Sequence, residues 1–259
     1  MSVVFKDMIG REVVLEKVPE RIVSLVPSQT ELLYSLGVGV KVVGQTVFCI
    51  HPESGFKTTT KVGGTKKIKY DVIEELKPDL IICNKEENTK EIVDTLSKSY
   101  PVWVSDIYNL KDNSEMILKL GNIVDRLPQA LELVKEIEKN FSYLSTDSSK
   151  SCLYLIWKGP WIGVASNTFI NEMLKCAGFN NVLSHKKRYP EIAEEMMQAL
   201  KPDYVLLSSE PFPFAEKHIN ELQIIFPHAE IKLVDGEMFS WYGSRLINAP
   251  AYFASMNHQ

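Results

Sequence analysis

In F-C-I-H-P, beginning at Phe48, Cys49 and His51 stand two residues apart, a pairing whose types suit a transition metal, with Glu86 or Glu210 able to complete the shell. No second His or Cys follows at ligand spacing, so structural roles for Cys49 and His51 stand beside the metal reading. Other catalytic signatures are missing: there is no G-x-S-x-G elbow, no phosphate loop, no G-x-G-x-x-G and no H-E-x-x-H. Asp79 and Asp203 lie in two L-K-P-D segments and read as turn or helix-stop residues. His218, His228 and His258 sit among polar neighbours that suit solvated surface positions.

Aromatics offer a different chemistry. Trp161 lies in G-P-W-I-G, and Trp241 and Tyr242 lie in F-S-W-Y-G, where no helical or strand period buries a ring in regular layers. Packing explains Trp103, Tyr154 and Phe179 well, but these loop rings could wall a planar apolar ligand. Phe48, Phe212 and Phe214 belong to the same class of loop. Asn84, Glu86, Arg188, Glu210 and Arg245 could orient such a guest through polar contacts.

The elements that must position these residues are legible from period. Val3 and Phe5, then Val13 and Leu15 around Gly10, alternate as a hairpin. Ile22 to Val26 reads as a buried strand that runs through Pro27 into a helix carrying Leu32, Leu33 and Leu36, stopped by Gly37. Further strands are expected at 40–47, 80–83, 100–106 and 152–157. Apolar residues recur at helical spacing from Asn113 to about Leu144, where Pro128 kinks one helix or opens a second. The polar run from Ser145 to Ser151 reads as a linker.

The fold class is therefore α/β: two Rossmann-like lobes with mostly parallel sheets, joined by a long bridging α-helix. Residues 1–112 form the N-terminal lobe, 113–145 the bridging helix region and 146–259 the C-terminal lobe. The lobes resemble one another, since L-K-P-D begins at Leu76 and again at Leu200, a displacement of 200 − 76 = 124. That displacement carries Asp71 onto Glu195, an acid near the start of each equivalent helix. The pair reads either as charge complementing two helix dipoles or as matched anionic knobs for a symmetric basic partner. A cleft where the sheets' carboxyl ends meet is the expected ligand site.

Composition narrows the function. The 259 residues are 45% hydrophobic, and 29 Lys plus Arg against 33 Asp plus Glu give a net charge of −4, which disfavours nucleic acid as a partner. No apolar run reaches the ~18 residues of a spanning helix, and the charged N-terminus is no secretory leader. The chain is expected outside the inner membrane if a leader was removed, and in the cytoplasm if Met1 is the native start. Cys49, Cys83, Cys152 and Cys176 show no paired spacing and are expected as free thiols.

The segments R-I-V-S-L-V-P-S-Q-T-E-L-L-Y-S-L-G from Arg21, V-G-G-T-K-K-I-K-Y-D-V-I-E-E-L-K-P-D-L-I-I-C-N-K-E-E-N from Val62 and the second L-K-P-D unit resemble the cobalamin-binding members of the ABC-importer substrate-binding proteins. This helical-backbone metal-receptor group also includes iron–siderophore and haem receptors. The resemblance covers nearly the whole chain. It implies a non-enzymatic, monomeric binding protein whose corrinoid or other metal chelate is cargo, with no required cofactor. It implies docking to a dimeric ABC permease through Asp71 and Glu195, with membrane contact only through that permease. It makes Phe48, Trp161 and Trp241 the matches to aromatic pocket residues. The alternatives are an iron–siderophore or haem receptor of the same fold, and a cytoplasmic metal-dependent protein using Cys49 and His51.

Overall fold

The computed structural model describes residues 2–144 and 150–257, so most of the expected linker and His258 fall outside the described residues. The chain divides into two compact units. Unit 1 takes residues 1–107, 111–136 and 242–245, and unit 2 takes 108–110, 137–241 and 246–259.

Unit 1 begins with the antiparallel hairpin β1 (Val3–Lys6) and β2 (Glu12–Leu15). Its sheet uses β3 (Ile22–Ser24), β4 (Val42–Gln45), β5 (Thr60–Lys61), β6 (Leu80–Asn84) and β7 (Val102–Ser105) in the order β5-β4-β3-β6-β7, and every neighbouring pair is parallel. Between them run α1 (Pro27–Ser35), α2 (Glu53–Thr58), α3 (Tyr70–Leu76) and α4 (Lys90–Leu96). Strands buried on both faces read as continuous apolar runs, as L-I-I-C in β6 does. One core cluster joins Val23, Leu25, Ile73, Ile81, Ile92 and Val104. The edge of β7 does not stand open, because Met8 N donates to Val104 O at 3.0 Å and the Arg11 guanidinium reaches Val102 O at 2.9 Å.

The long helical period is realised as two helices, α5 (Leu110–Ile123) and α6 (Leu127–Ser142). Asp125 takes a left-handed φ of 56° at the break, and Pro128 sits in the first turn of α6, where its missing N–H costs nothing. Gly121 makes the corner possible. A Cβ there would lie 2.4 Å from Ala130 Cβ.

Unit 2 repeats the plan. Its strands are β8 (Lys150–Trp157), β9 (Ile162–Gly163), β10 (Phe179–Asn181), β11 (Tyr204–Ser208) and β12 (Glu230–Val234), with β10-β8-β11-β12 parallel and β9 antiparallel on β8. The helices are α7 (Phe169–Cys176), α8 (Glu194–Ala199), α9 (Glu216–Ile225), α10 (Gly236–Ser240) and α11 (Ala249–Asn257).

The two L-K-P-D aspartates perform one job in both units. Asp79 Oδ1 accepts from Arg21 N at 2.8 Å while Asp79 N donates to Arg21 O at 2.9 Å. Asp203 Oδ2 accepts from Ser151 N at 2.7 Å while Asp203 N donates to Ser151 O at 3.1 Å. Each aspartate therefore ties the entry of its own strand to the start of the strand beside it, β3 in one unit and β8 in the other. The Ser151 hydroxyl and amide hold the Asp203 carboxyl below its ordinary pKa.

Candidate functional site

In unit 1 strands β3, β4, β6 and β7 all end on a polar, buried residue: Ser24, Gln45, Asn84 and Ser105. Buried amides and hydroxyls need partners, and three of the four here bond to other buried side chains, whereas Gln45 Oε1 finds no partner among the described residues. Thr30 Oγ1 donates to Ser24 Oγ at 2.8 Å, Gln29 Nε2 donates to Ser105 Oγ, and Asn84 Nδ2 donates to Ser105 Oγ at 3.0 Å. Asn84 was expected to touch ligand. It is instead spent on the loop that follows, its Oδ1 accepting from Glu86 N at 2.8 Å and Glu87 N at 3.0 Å. Asn88 completes that loop by accepting from Asn84 N and donating to Leu25 O and Thr65 O.

The loop after β4 is organised around Cys49. Its Sγ is fully buried between Thr30 Oγ1 at 3.2 Å and Thr46 Oγ1 at 3.1 Å, and Gln45 Nε2 donates to its carbonyl at 2.8 Å. Burial pushes the thiol's pKa up, with the threonine hydroxyls opposing. A metal needs the thiolate. Among the described residues no three His, Cys, Asp or Glu side chains gather to hold an ion, and Cys49 acts as a buried anchor. Because that anchor points inward, its neighbours Val47, Phe48 and Ile50 point out, at 44%, 57% and 43% exposure. The Phe48 ring lies close over Gly64, where a Cβ would sit 3.1 Å from Phe48 Cε2.

Unit 2 differs from the expectation. Trp161 is buried in the core with Phe214, their rings parallel within 3° at 6.3 Å. Trp241 is also buried, and its Nε1 donates to Glu210 Oε1 at 2.9 Å, an oxygen that also accepts from Ser240 Oγ at 2.7 Å. The absence of a regular period does not leave these rings uncovered, because the irregular segments that carry them pack back onto their own unit. Burial raises the Glu210 pKa, and Glu237 and Asp235 add to the effect. Trp157, the last residue of β8, is exposed instead, at 39%, and stands edge-on to Phe212 at 5.6 Å. Strand alternation could not have found it, because Leu153 and Leu155 of the same strand face are buried.

Among the cationic candidates, Arg245 makes a two-point pair with Glu31, Nη2 to Oε1 at 2.8 Å and Nε to Oε2 at 3.1 Å. Beside it Tyr242 is buried, its hydroxyl pushed far above the ordinary tyrosine pKa by burial and by the nearby Glu87 and Glu86 carboxylates. Arg188 remains exposed, with a left-handed φ of 62°, its guanidinium near the rings of Tyr108 and Tyr189. His228 is exposed as expected, but His218 is buried at 4% exposure. Its ring stands edge-on against both Phe212 and Phe214, which polar sequence neighbours could not foretell.

Exposed apolar side chains at the carboxyl ends of parallel strands are therefore present in both units: Val47, Phe48 and Ile50 in one, Trp157 and the half-buried Phe212 in the other. Open α/β sheets bind their ligands at these ends. A cavity of about 500 Å³ opens instead at the amino ends of β3 and β4, lined by residues including Arg21, Tyr34, Val40 and Ser54, none of them an expected site residue.

The sequence matches the family of periplasmic binding proteins over residues 22–223. The chain belongs to that family. An uncharacterised ABC-transporter substrate-binding lipoprotein of Bacillus subtilis is 28% identical over 262 residues, covering 95% of this chain and 82% of its own. A vitamin B12-binding protein of Yersinia pestis is 25% identical over 195 residues, covering 73% of this chain and 69% of its own. A haem-binding periplasmic protein of Pseudomonas aeruginosa shares the fold at a TM-score of 0.79 and 20% identity, over 92% of each chain.

In this periplasmic binding protein the two acids displaced by 124 occupy equivalent places. Asp71 is the second residue of α3 and Glu195 the second of α8, and both are exposed. Tyr70 and Met196, each next to one of the acids, are exposed apolar residues. Among the described residues no helix is long and apolar enough to cross a membrane.

Proposed function

We propose that this protein is the extracytoplasmic, non-enzymatic receptor of an ABC importer, taking a corrinoid or a similar flat metal chelate as cargo and presenting it to a dimeric permease. It works as a single chain. Family membership supports the receptor role, and the similarity to a vitamin B12-binding protein supports the chelate. The observation that carries the ligand class is the exposure of Phe48 in one unit, three residues beyond β4, and of Trp157 in the other, the last residue of β8. A rigid apolar macrocycle is the kind of guest that such rings cover, at about 25 cal/mol per Å² of apolar surface removed from water. Arg188 and Glu86 supply polar contacts at the rim. The largely buried Trp161, Trp241, Tyr242, Phe214 and Glu210 shape the surface from beneath, and the Arg245–Glu31 pair holds its segment in place.

Titration calorimetry with cyanocobalamin, hemin and a ferric catecholate tests the reading. Binding of cyanocobalamin that Phe48→Ala and Trp157→Ala each weaken about tenfold, the loss of roughly 1.4 kcal/mol, is the expected result. Binding of hemin or the ferric catecholate alone would replace the corrinoid with that chelate, and heat from none of the three would overturn the proposal. For docking, the double change Asp71→Lys and Glu195→Lys abolishes uptake in cells and leaves ligand affinity as it was; unchanged uptake removes the docking role.

A further inference from the structure

His218 is the third residue of α9, and its Nδ1 accepts a hydrogen bond from Ala215 N at 2.9 Å. A nitrogen that accepts an N–H carries no proton, so this imidazole is neutral. Its ring stands edge-on to Phe212 and to Phe214, 5.4 Å from each centroid, and those two rings lie 4.7 Å apart. Phe212 continues to the exposed Trp157, and Phe214 to the buried Trp161. One histidine therefore caps a helix and wedges the aromatic chain that ends at the exposed rim of unit 2.

Protonation is incompatible with that arrangement. A proton taken from solution onto Nδ1 converts the acceptor into a donor facing the Ala215 N–H, and the cap is lost. We propose that His218 is an acid-operated latch on the Trp157–Phe212 surface: when Nδ1 takes up a proton, the ring leaves its slot, the Pro211–Ala215 loop loosens and ligand is released. The consequence for ligand rests on the receptor role proposed above, whereas the latch itself does not. The charges facing the ring are Lys158 and Lys217, which oppose protonation, and Glu221, which favours it and is paired with Lys158. Burial and the two lysines lower the pKa from the ordinary 6.5. The native state thus resists a proton that the unfolded chain accepts below about pH 6.5, so native stability declines as pH falls through that value.

Two arms separate the latch from the ligand. Ligand-free protein is titrated from about pH 7.5 to pH 5 by imidazole NMR and tryptophan emission, and cyanocobalamin affinity is measured at both ends. A titration of His218 below 6.5 that moves together with the Ala215 amide and the tryptophan emission is expected, with cyanocobalamin bound about tenfold more weakly at the acid end. His218→Asn keeps an acceptor without a titration and should remove the step in both arms, and His218→Gln serves the same purpose if the first variant folds poorly. A ring that titrates without moving the Ala215 amide, one that stays neutral to pH 5, or an identical step in the folded variant overturns the latch. A latch seen without cyanocobalamin binding counts against the corrinoid and leaves the latch standing. A latch with unchanged cyanocobalamin affinity overturns its role in release.

Discussion

Units 1 and 2 share a frame and differ at its rim. Both lay parallel strands in equivalent order, and both fasten a strand entry with the aspartate of L-K-P-D. In unit 1 the strands end on buried amides and hydroxyls that bond to other buried side chains and, through Gln45 Nε2 on Cys49 O, to the loop carrying Phe48. In unit 2 the corresponding region is filled by rings, from Trp157 through Phe212, Phe214 and His218 to Trp161. A polar scaffold depends on geometry and fails when one partner is lost. An aromatic one depends on volume. The duplicated code builds the sheets, and each copy then supports its rim by different physics.

Removing volume from the aromatic side is the sharpest way to break the comparison. Trp161→Ala should cost about 3–5 kcal/mol in urea unfolding of unit 2, as large-to-small core changes do. A cost under 1 kcal/mol would mean that Trp161 is not part of that core. Next comes the mostly buried ion pair of unit 1, where Arg245→Ala leaves Glu31 without its two-point partner. A loss of about 1.5–3 kcal/mol is expected, read in the same melts, and Arg245→Lys should restore only part of it.

Smaller effects probe single polar atoms. Trp103 is fully buried and its Nε1 has no hydrogen-bond partner among the described residues, whereas the Trp241 Nε1 is bonded to Glu210. Trp103→Phe should therefore destabilise less than Trp241→Phe, the difference being about 1 kcal/mol, the worth of one satisfied bond. The reverse order would show that Glu210 gains little from the indole. The smallest expected effect is Phe48→Ala, which should leave stability within about 0.5 kcal/mol because the ring is 57% exposed, while weakening ligand binding. A large loss of stability there would make Phe48 part of the scaffold. Asp203 adds a pH marker. Its lowered pKa means that its stabilisation is present above the unfolded value of 3.8 and fades as pH falls through the folded one.

The strands and the repeat could be read from residues because their signals are local. L-I-I-C reads as a strand following a helix end, and a second L-K-P-D 124 positions later could be matched to the first. The acids Asp71 and Glu195 were placed by the same arithmetic and lie at equivalent helix starts. Rim residues were harder. Trp161 and Trp241 were expected as ligand walls because their loops lack a period, and the structure buries both. Cys49 was a candidate ligand by type, and two threonines from separate segments enclose it. His218 had polar neighbours in sequence and aromatic neighbours in space.

By itself the order of residues decided the α/β class, the duplication and the paired acids, all of which depend on a pattern within one element or on its repeat; that the L-K-P-D aspartates fasten neighbouring strands rather than stop a helix came only from the structure. Which loop aromatic faces outward and which is covered was decided only in the tertiary structure. Exposure of an irregular segment depends on what folds against it from elsewhere in the chain, and no local period records that.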